Sequence, residues 1–200
     1  RAGGSAADAA IATSAVLAVT TQHMCGMGGD LLALVHDGSS PPVALLSAGR
    51  AGTGADASAL RAEGHAVMPF RGDVRSASVP GCVDGWLALH GRHGRLPLAT
   101  VLAPAVGYAA DGFPAAPMLA AAVTLITAVP GADDYLPPSG RLRTGDRVRR
   151  PLVAAALDAI VSGGREAFYR GPFGDGLLDL GGGFFTRPDL DRDQAEWTDA

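Results

Sequence analysis

From Ala6 the chain runs almost without polar interruption through Ile11, Val16, Leu17 and Val19, with Ser5 and Asp8 at its head. This spacing predicts a helix over residues 5–19, with Ser5 as N-cap and Asp8 at the positive end of the helix dipole. The helix is rich in alanine and apolar nearly all round, so it is expected to be covered on more than one side and to pack closely against a sheet. Residues 31–36 form a short apolar run of strand length, Asp37-Gly38-Ser39-Ser40-Pro41-Pro42 supplies turn chemistry, and a second run covers 43–47. That order predicts an antiparallel hairpin. After Ala55 the pattern becomes helical over 56–62, 81–93, 98–111, 114–127 and 151–162, each segment punctuated by Pro or Gly. Residues 130–150 hold Pro137-Pro138, Ser139-Gly140 and an arginine cluster, and read as a long surface loop. No repeat or domain boundary emerges.

Composition adds exclusions. With 48% hydrophobic residues, the 200-residue chain can build a sizeable core. Sixteen basic residues, all arginine, stand against 20 acidic ones, for a formal charge of −4. No electrostatic footprint for nucleic acid follows from that balance. The densest cluster, Arg141, Arg143, Arg147, Arg149 and Arg150, is interrupted by Asp146 and has no aromatic stacking partners in its pattern, so a solvated loop is expected. Cys25 and Cys82 are too few for a disulfide framework and are expected as buried free thiols. The apolar stretches carry Asp8 and small polar residues, so no membrane segment is expected. Arg1-Ala2-Gly3-Gly4 resembles an interior junction, so a true N-terminus is expected upstream. The compartment is left open, with the cytoplasm slightly favoured.

Local motifs exclude several chemistries. Gly26-Met27-Gly28-Gly29 follows a helix and precedes a strand, the reverse of the dinucleotide-binding order, and a chain without lysine has no Walker A motif. A tight turn is expected there. No G-x-S-x-G elbow occurs. His23, His36, His65, His90 and His93 lack zinc-ligand spacing. Thr20 and Thr21 lie inside the chain, whereas a threonine nucleophile that uses its own α-amino group must stand at a free terminus. Arg50 is different. It is a permanently charged, planar fork between Gly49 and Ala51-Gly52, directly after a strand, and suits either bidentate capture of a carboxylate or an ordinary loop salt bridge.

Several segments together resemble the γ-glutamyltransferase family of N-terminal-nucleophile hydrolases. They are Arg1-Ala2-Gly3-Gly4-Ser5-Ala6-Ala7-Asp8, His23-Met24-Cys25-Gly26-Met27-Gly28-Gly29-Asp30, Ser78-Val79-Pro80-Gly81-Cys82-Val83-Asp84-Gly85-Trp86, Gly94-Arg95-Leu96-Pro97, Leu102-Ala103-Pro104-Ala105, Asp111-Gly112-Phe113-Pro114 and Phe168-Tyr169-Arg170-Gly171-Pro172. Gly181-Gly182-Gly183-Phe184-Phe185-Thr186 and Asp189-Leu190 complete the series. Each motif is weak alone, and their collinear order carries the resemblance.

The resemblance implies an α+β fold, the αββα four-layer sandwich of the N-terminal-nucleophile hydrolases. Residues 1–200 would form an incomplete portion of the large subunit, with a largely helical second half. It also implies a self-cleaving precursor, whose small subunit supplies a threonine that attacks a γ-glutamyl amide. No catalytic residue is then expected in this chain, and neither a metal nor an organic cofactor. Arg50 matches the family arginine that binds the donor α-carboxylate. Its partners would be that carboxylate-bearing small molecule and the small subunit. The sequence Ser47-Ala48-Gly49-Arg50-Ala51-Gly52 lacks the Arg-Glu-x-Ala-Pro of many transferases and is closer to the Gly-Arg-Ala-Pro pattern of the hydrolase or acylase branch, with Gly52 in place of proline. Hydrolysis is therefore favoured over transfer, and a cephalosporin-acylase-like amidase or a non-catalytic relative is the alternative. The apolar helix and hairpin are expected to need sheet partners from further sequence, so the chain expressed alone is expected to be poorly soluble or inactive.

Overall fold

The structure, a computed structural model, describes residues 3–69, 72–126, 132–137 and 139–200. It divides into two compact units that interleave along the chain, one of residues 1–27 and 89–164 and the other of residues 28–88 and 165–200. Because neither unit is continuous in sequence, no stretch of linker composition marks the division.

In the first unit, α1 (Ala6–Thr20) begins at Ser5 with a capping box, in which the Ser5 hydroxyl accepts from Asp8 N–H and the Asp8 carboxylate accepts from Ser5 N–H. Asp8, Ile11, Ala15, Ala18 and Val19 are buried, one face of the helix, and that face packs against α4 (Leu98–Asp111). Its small side chains let the two helices approach closely.

The capping carboxylate does a second job. Asp8 Oδ2 also accepts from Arg95 N–H (3.0 Å) and Leu96 N–H (3.2 Å), so the first motif and Gly94-Arg95-Leu96-Pro97 are tied into one knot. Asp8 is only 3% exposed. Burial alone would push its carboxyl up, but the amides of Ser5, Arg95 and Leu96 outweigh that and hold it below its ordinary value. His90 closes the knot, its Nε2 2.8 Å from Leu96 O.

The rest of this unit is helical. The apolar segment expected over 114–127 is shorter: β3 (Phe113–Pro114) precedes α5 (Pro117–Ala122), which tightens into a 3-10 turn over Val123–Leu125. Pro117 at the first turn sets its start. Residue 127 lies outside the described residues.

The expected surface loop also contains a 3-10 turn (Ala132–Tyr135) and β4 (Arg147–Val148), which pairs with β3. Residues 130, 131 and 138 of that stretch lie outside the described residues. Arg141, Arg143, Arg147 and Arg149 are exposed, as a solvated loop requires, but Arg150 is buried, with its guanidinium 3.6 Å over the Tyr135 ring and Nη1 donating to Gln22 Oε1. The stacking partner is 15 positions away in sequence, so the local pattern did not show it.

In the second unit, β1 (Leu31–Val35) and β2 (Val43–Ser47) form the hairpin, with Leu32 opposite Leu46. A third strand, β5 (Glu196–Asp199), pairs antiparallel to β2 and gives the order β1-β2-β5. Leu31 and Ser47 face the first part of α3 (Cys82–His93), where a Cβ on Gly85 would lie 2.8 Å from Leu31 and 3.0 Å from Ser47, inside van der Waals contact, and Leu45 lies on the same side of the sheet. The opposite face carries Leu32, Leu34 and Leu46, all exposed. Trp86, Phe168, Tyr169, Leu45, Val79 and Leu190 are among the fully buried side chains of this unit.

The helix expected over 151–162 runs on as α6 (Pro151–Tyr169), broken at Gly164 by φ 58° and ψ −140°. α2 (Ala57–Ala62), capped by Asp56, a 3-10 turn over Val74–Ser76, α7 (Pro172–Gly181) and α8 (Arg187–Asp191) complete the chain. Cys82 is buried as expected, whereas Cys25 is exposed, because the glycine-rich turn that holds it lies at the surface. Among the described residues no helix is long and apolar enough to cross a membrane.

Candidate functional site

β2 ends at the buried Ser47, whose hydroxyl donates to Gly81 O at 2.7 Å. The chain then turns at Gly49, with φ 77°, where a Cβ would lie 1.8 Å from Val79 O. Only glycine satisfies both the left-handed backbone and that approach. Arg50 follows, and its carbonyl accepts from Val79 N–H at 2.8 Å. Gly81 N–H and Cys82 N–H both donate to Gly29 O at 2.9 Å. The three glycine-bearing motifs around residues 29, 49 and 81 are thus one hydrogen-bonded cluster. Gly29 offers it a carbonyl, which suits an anchoring turn and not an anion cradle.

The downstream side of Arg50 is held as firmly. A Cβ on Gly52 would lie 2.3 Å from Phe184 O, so glycine at this position lets the loop lie directly on the Gly181–Phe185 segment. Gly54 N–H donates to the same Phe184 carbonyl. Thr53 donates through both N–H and hydroxyl to Asp189 Oδ2, each at 3.0 Å, and Asp189 also caps α8 by accepting from Thr186 N–H and hydroxyl. Burial would raise the Asp189 carboxyl, but these donors more than offset it and keep it below its ordinary value.

Between these clamps the Arg50 side chain stays open. It is 44% exposed, and its ionic contact with Glu196 is a long one, 3.7 Å from Nη2 to Oε2. Arg75, by comparison, sits 2.7 Å from Asp73 and 2.8 Å from Glu63, and Arg165 Nε sits 3.0 Å from Asp84. Those guanidiniums are committed to structure. Arg50 retains donors for something else.

Glu196 is placed by a deeper network. Asp84, 3% exposed, takes Arg165 Nε at 3.0 Å on Oδ1 and Gln194 N–H at 2.8 Å on Oδ2. Arg165 Nη2 also donates to the carbonyls of Leu190 and Arg192, so the approach to β5 is pinned six and four residues before Glu196, and by the Gln194 amide two residues before it. Burial pushes the Asp84 carboxyl up, and the Gln194 amide and Arg165 offset this only in part. Tyr169, fully buried, donates to Pro80 O at 2.6 Å, and its hydroxyl is driven far above its ordinary value by burial and by Asp84. The Phe168-Tyr169 motif therefore braces the segment on which Arg50 rests.

The rejected candidates stay apart from this cluster in kind. Thr20 donates to Val16 O within α1, and Thr21 is that helix's C-cap. Among the described residues no group of three or more His, Cys, Asp or Glu could hold a metal ion. Glu196 and Asp84 are the participants that the sequence did not reveal. Asp84 was visible as an acid inside a quoted motif, but nothing local announced that its partners lie about 80 and 110 positions away.

The α+β scaffold that carries this glycine-clamped arginine matches solved structures of the N-terminal-nucleophile hydrolase fold, and that is its class. The Gamma-glutamyltranspeptidase family model matches residues 1–200, and the chain belongs to that family. It is 36% identical over 189 residues to the oxamate amidohydrolase proenzyme of Klebsiella pneumoniae, covering 88% of this chain and 35% of that protein. It is 34% identical over 204 residues to a glutathione hydrolase-like proenzyme of Bacillus subtilis, covering 98% of this chain and 38% of the relative. The chain therefore spans little more than a third of the length of these relatives.

Among solved structures, a cephalosporin acylase from Bacillus halodurans superposes with a TM-score of 0.88 at 34% identity, over 99% of this chain and 39% of that one. The γ-glutamyltranspeptidase of Helicobacter pylori gives 0.89 at 25% identity, over 98% and 59%. The α+β class and the family resemblance are as the sequence indicated.

Proposed function

We propose that the whole protein carrying this chain cleaves a γ-glutamyl or related amide through a threonine acyl-enzyme, with hydrolysis favoured over transfer. Arg50 binds the substrate carboxylate, and the threonine comes from a small subunit released from the same precursor. The single observation behind this reading is the state of Arg50: its backbone is clamped on both sides while its guanidinium is left largely uncommitted. A fixed cation of this kind holds an acyl group at a set distance from a nucleophile supplied elsewhere. The exposed row Leu32, Leu34 and Leu46 supports the rest, since a second sheet laid on it would complete the sandwich and exclude water from the site.

Replacing Arg50 with Ala in the full-length, processed protein is expected to lower kcat/KM toward a γ-glutamyl anilide by about 10- to 100-fold, the worth of a charge-assisted hydrogen-bonded pair. An unchanged value overturns the role. A second reading is favoured by Gly52, which follows neither of the two residue patterns, and by relatives named oxamate amidohydrolase and cephalosporin acylase. In it the acyl group is a different carboxylate-bearing one. Two fragments from one gene product on a denaturing gel would exclude the non-catalytic alternative.

A further inference from the structure

Part of the arginine cluster that reads as a solvated loop borders a cleft. In the first unit a cavity of about 360 Å³ opens between α5 and the chain at 140–144. Ala120 and Ala121 of α5, Val123 of the 3-10 turn that follows, and Leu136 and Leu142 of the loop give it an apolar lining. The loop is held where it stands. Gly145 N–H donates to Ala115 O and Ala115 N–H to Asp146 O, which ties it to the start of α5, and Tyr135, next to Leu136, lies against the Arg150 guanidinium. Leu142 turns inward, 6% exposed, while Arg141 and Arg143 on either side of it are exposed and line the same cleft. Among the described residues neither arginine forms an ion pair and no acidic side chain lines the cavity. Asp146 instead accepts from the backbone N–H of Arg143 at 2.8 Å and closes the turn.

We infer that this cleft is a ligand site for a small carboxylate with an apolar body, of the size and class of a medium-chain fatty acid. Three observations converge on that chemistry. The volume lies at the small end of the range for small-molecule pockets, so the occupant is a compact molecule and not a polypeptide face. The alanine, valine and leucine lining favours hydrocarbon, and each methylene laid against it adds to the affinity. The charged residues of the lining are both cations with no opposing carboxylate, so the cleft attracts an anion and disfavours an ammonium. Two planar guanidiniums are suited to a carboxylate head, which each can grip through paired N–H groups. This reading stands apart from that of Arg50, which lies in the other unit and is held by other segments.

Isothermal titration calorimetry of the full-length protein with octanoate, 1-octanol and acetate tests the assignment. Octanoate is expected to bind saturably with a Kd below about 1 mM, and at least about tenfold more tightly than octanol, which lacks the charge, or acetate, which lacks the body. Arg141→Gln combined with Arg143→Gln is expected to weaken octanoate at least about tenfold. Both arginines are exposed, so this double variant is expected to melt with the wild type. Ala121→Trp, which fills the cleft from α5 and leaves both arginines in place, is expected to abolish binding. Arg50→Ala is expected to leave octanoate binding unchanged, and that arm separates this site from the other carboxylate-seeking arginine. The absence of saturable octanoate binding overturns the inference, as does octanol binding as tightly as octanoate. An octanoate affinity unmoved by the double substitution or by Ala121→Trp, or one lost with Arg50, overturns it equally.

Discussion

Asp8 and Asp84 are each only 3% exposed, but Asp84 lies deeper in the protein, and their carboxyls move in opposite directions. Asp8 is surrounded by backbone N–H groups of Ser5, Arg95 and Leu96, dipoles already held in place by a helix N-terminus and a tight loop. Asp84 has a single backbone amide, that of Gln194, and for the rest depends on Arg165, a second charge that must itself be stripped of water. Satisfying a buried carboxylate with amides gives an ion that is comfortable at neutral pH. Satisfying it with a guanidinium gives a contact whose merit is geometric, since Arg165 reaches Leu190 and Arg192 as well and so aligns the approach to β5. The first device fastens two motifs together, while the second aims a strand.

That contrast can be broken most forcefully at Asp84. Asp84→Ala strands Arg165 in the interior and is expected to cost about 3–5 kcal/mol in urea-induced unfolding, whereas Asp84→Leu combined with Arg165→Met is expected to recover most of the loss. If the double variant is as damaged as the single one, the ion pair contributes more than alignment. Asp8→Ala is expected to cost about 1–3 kcal/mol by the same measurement, because the amides it abandons lie near enough to the surface to recruit water.

The smallest effect is in the pH dependence, where the two sites have opposite signs. The folded-state acidity of Asp8 lies below 3.8, so its contribution is present above that value and is lost as pH falls through the lowered one. That of Asp84 lies above 3.8, so its contribution is present below 3.8 and is lost as pH rises through the raised one. Unfolding midpoints measured across the acid range should therefore show Asp8→Asn flattening the acid loss of stability, and Asp84→Asn removing a decline that runs the other way. Matching profiles for the two variants would dissolve the distinction.

What could be read from the sequence follows the range of the forces involved. The cap of α1, the hairpin strands and α4 are local patterns, and the expected boundaries fall within a residue or two of the observed ones. β5 was missed because Glu196-Trp197-Thr198-Asp199 offers one large apolar side chain in four residues and becomes a strand only by pairing with β2, roughly 150 positions earlier. α7 was hidden by its own glycines, at 174 and 176, which lower helix propensity, although Pro172 at its first turn marked the start. Arg50 was legible as a residue in a suggestive setting. Its neighbour Glu196 was not, because an isolated surface glutamate carries no local sign of what stands opposite it.

The bond from Thr53 to Asp189 spans 136 positions of sequence. A growing chain exposes the Arg50 loop long before the residue that fastens it has been made, since synthesis proceeds from the N-terminus. The arginine therefore acquires its fixed direction only when α8 forms and Asp189 accepts from both ends of the contact. The fastening of this side of the loop thus waits on the synthesis of residue 189, and a nascent or truncated chain ending before it holds the same arginine on an unfastened loop.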